Sequence, residues 1–122
     1  MLNISSGRFS VIIANGIYDE RIYAYTESNT VNDGEWHHLA VSMDRDGEMT
    51  IYLDGESAGT KDIASYATIN MQAIQEFYIG RRNQASLPNF FNGTIDELRV
   101  YDRVLLMAEV QDFWQLAQPL TP

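Results

Sequence analysis

The chain has 122 residues, no cysteine, and 17 acidic against 8 basic residues, for a formal charge of -9. Disulfides, thiolate metal sites and cysteine nucleophiles are excluded. Arg81-Arg82 is the single adjacent pair of bases, so the basic stripe that a nucleic-acid backbone selects is missing.

With 45% hydrophobic and 20% charged residues the chain reads as one folded domain, 1–122. At this length a compact fold buries roughly two-thirds of the surface that its unfolded chain exposes. The acidity suits a divalent cation, a neutral ligand or simple solubility. No apolar run approaches the roughly 18 residues of a membrane span, so neither nucleic acid nor a membrane is an expected partner. Residues 1–6 have neither the basic start nor the apolar middle of a secretory signal.

Alternation dominates the first hundred positions and predicts strands. Phe9, Val11 and Ile13 form the first row. A second strand is expected over about 20–27, with Ile22 and Ala24 on one side and Tyr23 and Tyr25 on the other. Those two are the strands expected before Trp36. Leu39, Val41 and Met43, then Met49, Ile51 and Leu53, predict a three-stranded meander that ends near Lys61. Asp46-Gly47 and Asp54-Gly55 supply its turns, because such dipeptides tolerate the positive φ of tight hairpins. Phe77 and Ile79 open another row, and 93–101 reads as a strand. Within that strand Ile95 and Leu98 lie three apart, which breaks the phase and predicts a bulge near Asp96-Glu97. Finally the period changes. Leu106, Val110, Phe113 and Ala117 fall at helical spacing, which predicts a short helix on a sheet edge or sandwich mouth, anchored by Trp114.

Two segments carry a family signature in combination. One is Trp36-His37-His38-Leu39-Ala40-Val41 leading to Tyr52-Leu53-Asp54-Gly55. The other is Ile79-Gly80-Arg81, a loop, then Gly93-Thr94-Ile95-Asp96-Glu97-Leu98-Arg99-Val100-Tyr101 and Asp102-Arg103-Val104-Leu105. Over roughly 36–114 the chain resembles the laminin G-like branch of the concanavalin A-like lectin/glucanase superfamily. The resemblance implies an all-β, two-sheet antiparallel jelly-roll sandwich with a short C-terminal helix. It also implies non-catalytic binding of carbohydrate or protein and an extracellular or cell-surface setting. Leu106 stands where the family usually has serine, so the helix start lacks a side-chain oxygen. Relatives usually carry several strands before the Trp-His-His segment. A sandwich short of its first strands exposes ladder edges, and the expectation is a homo-oligomer, most simply a two-fold dimer. The alternative function is then a self-assembly module that uses those edges or a tyrosine-rich face.

Candidate site residues come with competing structural roles. In relatives, acids such as Asp96 and Glu97 help to hold calcium, which makes Asp96 the candidate metal ligand and calcium the one cofactor to consider. Calcium requires six to eight oxygens, so loops such as 89–92 or Asn32-Asp33 would have to supply the rest. Otherwise Asp96 satisfies backbone amides or pairs with Arg99 or Arg103. Retaining glycosidases need two carboxylates about 5 Å apart, and the alternate neighbours of Asp96 and Glu97 are Thr94, Leu98, Ile95 and Arg99, so no hydrolase is expected. His37 and His38 are adjacent and point to opposite sides of a strand, which suits structural roles. Alternation sets Tyr52, Tyr78 and Tyr101 on the face away from the core, where they would serve as a subunit interface, as cross-strand packing or as a sugar platform. Arg82, Asn83, Asn89 and Phe90 give the 82–92 loop amides, a cation and an aromatic ring, a composition suited to hydroxyl-bearing ligands.

Overall fold

The computed structural model describes residues 1–14, 21–28, 31–69, 79–81 and 89–118. Among the described residues six strands form two antiparallel sheets: β1 (Leu2–Ser5), β2 (Arg8–Ala14) and β3 (Arg21–Tyr25) make sheet A. The predicted meander makes sheet B from β4 (Leu39–Met43), β5 (Glu48–Leu53) and β6 (Glu56–Asp62). After a 3-10 turn at Ala64–Tyr66, one α-helix follows among the described residues, α1 (Met107–Ala117).

Local turn chemistry explains both two-residue hairpins. Ser6-Gly7 has φ of 52° and 76°, and Asp54-Gly55 has 53° and 83°. Positive φ at both central positions matches the right-handed twist of the flanking strands. The first hairpin creates β1, a strand that alternation had not revealed: only Leu2 and Ile4 alternate in its four residues. Three strands therefore precede Trp36 among the described residues, where two were expected.

The core lies between the sheets. Phe9, Val11, Ile22 and Ala24 from sheet A meet Met49 and Ile51 from sheet B, with Val31 and Ile63 closing the sides. The sheets are joined where β6 bulges. Ile51 pairs with Gly59 and Tyr52 with Ser57, so Ala58 is the extra residue. Its carbonyl, freed from the ladder, accepts the Glu27 N–H at 2.7 Å. Beside it Gly59 lies so close to β3 that a Cβ there would come 2.3 Å from the Tyr25 carbonyl oxygen.

A third layer covers sheet B from outside. Tyr52, Leu105 and Val110 form a second buried cluster, flanked by Ala40 and Phe113. The helix thus rests on the outer face of sheet B rather than at an edge or mouth. Trp114 is half-buried, as expected of an anchor. Leu106 supplies no cap oxygen, and Glu109 compensates in part by accepting the Leu106 N–H at 2.9 Å. Arg103 grips the same carboxylate through two nitrogens at 2.9 and 2.6 Å. First the Arg103 guanidinium and then the Leu106 amide pull Glu109 down to about 2.

One predicted strand does not form. Among the described residues, 93–101 join no ladder, and every one of them is exposed. The phase break is nonetheless real, since Glu97 adopts φ of 52° between Ile95 and Leu98.

Candidate functional site

The Trp36-His37-His38 segment builds a clamp. Asp54, in the β5–β6 hairpin, accepts the His38 N–H through Oδ1 at 2.9 Å and meets His37 Nδ1 through Oδ2 at 2.8 Å. His37 Nε2 lies 2.9 Å from Asp33 Oδ1. Carboxylates only accept, so a ring that donates from both nitrogens is the charged imidazolium. Partial burial opposes that charge, but the hydrogen bonds to Asp54 and Asp33, helped by both charges, outweigh it and raise His37 above the usual histidine range. His38 is pushed the other way, mainly by burial. Its ring faces Trp114 with centroids 6.4 Å apart. Trp114 in turn lies on Gly55, where a Cβ would meet its Cδ1 at 2.9 Å. The two histidines are structural and serve opposite sides.

The clamp has a pH signature. A folded-state pKa above the unfolded value of about 6.5 contributes stability that is complete below that value. The contribution is lost as pH rises through the folded pKa. The Tm of the wild-type chain should therefore exceed that of His37→Gln by several degrees near pH 5.5 and by clearly less near pH 8.5. Thermal melts at the two pH values measure this, and an unchanged gap would contradict the clamp.

The expected ligand residues are dispersed. Tyr52 does face away from the main core, but it is only 7% exposed because Leu105 and Val110 cover it. Alternation places its side correctly and says nothing of the helix that returns over it, so Tyr52 is a packing residue rather than a ligand platform. Asn89 is exposed. Phe90 is 69% exposed, with the Arg81 guanidinium 5.9 Å from its ring centre. Tyr78, Arg82 and Asn83 lie outside the described residues.

Asp96 accepts the neighbouring Glu97 N–H at 2.8 Å, and Glu97 pairs with Arg99 at 2.9 Å. Among the described residues no three acidic or histidine groups converge as metal ligands. Asp33, from the other loop considered as a donor, is engaged by His37 and by the Glu35 N–H.

A coherent polar and aromatic surface is found elsewhere, on the outer face of sheet A. The register sets Tyr25 beside Ser10, Ser10 beside Asn3, and Tyr23 beside Ile12. Tyr23 and Tyr25 are 38% and 45% exposed. Arg8 donates through Nε to the Thr26 carbonyl at 2.6 Å and lies over the Tyr25 ring at 5.3 Å. Arg21 reaches the Tyr23 hydroxyl at 3.1 Å, and Ser10 donates to the Asn3 carboxamide oxygen. Two rings about 7 Å apart along one strand are thus framed by guanidinium and amide groups, with Ser10 buried between Asn3 and Tyr25.

A laminin G-like model of the concanavalin A-like lectin/glucanases superfamily matches residues 1–111. The chain belongs to this laminin G-like family. Its fold is the concanavalin A-like sandwich, all-β with one short C-terminal helix. A crystal structure of residues 221–444 of an S-layer domain-containing protein from Clostridium thermocellum is similar in fold, with a TM-score of 0.56 and 24% identity. The match covers 88% of this chain and 52% of that one, so the laminin G-like chain spans about half the length of that structure. Of its two signature segments, one makes the histidine clamp, and the other includes the unladdered run 93–101.

Proposed function

We propose that this laminin G-like domain is a non-catalytic binding module that takes carbohydrate on the outer face of sheet A. Domains of the family are often binding modules. The observation that carries the reading is the exposed Tyr23–Tyr25 pair, held by Arg8 and Arg21 beside Asn3. Aromatic faces stack on the apolar faces of sugar rings, while guanidinium and amide groups bond to hydroxyls. The adjacent Asp96 and Glu97 are engaged by a backbone amide and by Arg99, an arrangement unlike an acid–nucleophile pair across a cleft.

A glycan array probed with and without calcium tests the reading. Tyr23→Ala and Tyr25→Ala should each weaken any hit by about tenfold, the equivalent of about 1.4 kcal/mol, a typical worth for one aromatic contact. Their Tm values should stay close to that of the wild type. Hits that survive both substitutions would remove this face as the site. An array with no hits would remove carbohydrate and leave a protein ligand.

A further inference from the structure

The unladdered segment of the second signature is unusual in its combination of features. Among the described residues, 93–104 make no backbone–backbone hydrogen bond. Ile95 is 46% exposed, Leu98 50% and Val100 80%. The sequence has β-forming side chains, its backbone donors and acceptors lack a ladder, and one non-glycine residue, Glu97, is held at φ of 52°. A free edge of this kind is a template for an added strand.

We propose that this segment is the dimer seat of the chain, pairing antiparallel with the same segment of a second copy about a two-fold axis at Leu98. The charge pattern selects both the occupant and the register. In an isologous antiparallel pair each residue meets its mirror position across the axis, and the axis must fall on a residue for side chains to keep their sides. With Leu98 on the axis, Glu97 meets Arg99 of the copy and Arg99 meets its Glu97. Ile95 meets Tyr101, and Asp96 meets Val100. Opposite charges face each other twice and like charges never do, the pattern that stabilises cross-strand pairs.

Neighbouring registers fail this test. An axis at Glu97 sets two carboxylates face to face. One at Arg99 sets two guanidiniums together and opposes Asp96 to Asp102. One at Val100 opposes Leu98 to Asp102.

The segment is also prepared for such pairing. Arg99 and Tyr101 already rest on Phe113 of α1, at 5.4 and 5.9 Å, which holds one side of the segment against its own domain and leaves its edge open. Glu97 and Arg99 now pair within the chain at 2.9 Å. Dimerisation exchanges the one such contact in each chain for two between copies, and lets Glu97 return to an extended backbone.

The absence of cysteine makes the register directly testable. In the proposed pair the two Leu98 Cβ atoms stand about 5 Å apart, within reach of a disulfide, whereas the two Val100 positions are about 13 Å apart. Leu98→Cys should therefore form covalent dimer at least about tenfold faster than Val100→Cys, although Val100 is the more exposed residue. Equal rates, or a faster Val100→Cys, would overturn the register. Sedimentation equilibrium tests the charges. Glu97→Arg and Arg99→Glu should each raise the dimer Kd by about tenfold, and the double exchange should restore it. A wild-type chain that stays monomeric at millimolar concentration, or a double exchange that restores nothing, would overturn the dimer seat. Neither result bears on the tyrosine face of sheet A.

Discussion

Gly59→Ala should cost the domain about 3 kcal/mol, at the upper end of the range for an overpacked site. For a chain of this length that is a fall in Tm of about 10 °C. The added methyl would stand 2.3 Å from the Tyr25 carbonyl oxygen and 3.2 Å from its carbon. Both obstacles are backbone, which cannot rotate aside as a side chain does. Relief requires β3 and β6 to separate, and they are joined at that point by the bond from Glu27 N–H to the Ala58 carbonyl at 2.7 Å. The same movement would displace the strand that carries Tyr23 and Tyr25. Urea or thermal denaturation measures the effect, and a Tm within about 2 °C of wild type would show that the sheets part freely there.

The close approach at Gly59 was not legible in the sequence. A glycine within a strand announces some irregularity, but which backbone it meets depends on how two sheets are brought together. What was legible is local. The meander over sheet B needed only alternation and the turns at Asp46-Gly47 and Asp54-Gly55, each decided within a few residues. The clamp was half legible: the adjacency of His37 and His38 assigned them to opposite sides, but their carboxylate partners Asp33 and Asp54 come from a loop and a hairpin.

Two of the expectations that changed share one cause. Tyr52 was placed on the correct side of β5, but its cover arrives from Leu105 and Val110, more than fifty residues later. Residues 93–101 have a strand's side-chain pattern, but a strand exists only with a neighbour to pair with, and β propensity measures that context rather than the residue alone. Composition likewise drew attention to the 82–92 loop, while the exposed aromatic pair with ordered polar neighbours lies on sheet A, where register rather than sequence proximity assembles it.

Ser42→Ala should cost about 3 kcal/mol and do so mainly through the helical layer. Ser42 is buried on the outer side of β4, and its hydroxyl serves both backbone groups of Leu105. It donates to the Leu105 carbonyl at 3.0 Å and accepts the Leu105 N–H at 2.9 Å. Alanine removes both partners at once and leaves a buried donor and a buried acceptor, each costing about 1–3 kcal/mol when unsatisfied. The lost volume is a single oxygen, so polarity rather than packing decides the outcome. Leu105 is the residue at which the chain returns to sheet B and leads into α1, so its release loosens Val110 and Trp114 and uncovers Tyr52. Hydrogen exchange in 107–117 should accelerate well before exchange in β2 or β5, and Trp114 fluorescence should report a wetter ring. Ser42→Thr, which keeps the hydroxyl, should retain most of the protection. If Ser42→Ala instead speeds exchange evenly through both sheets, the helix is not a separately seated layer. If it changes nothing, the two bonds to Leu105 do not hold the helix down.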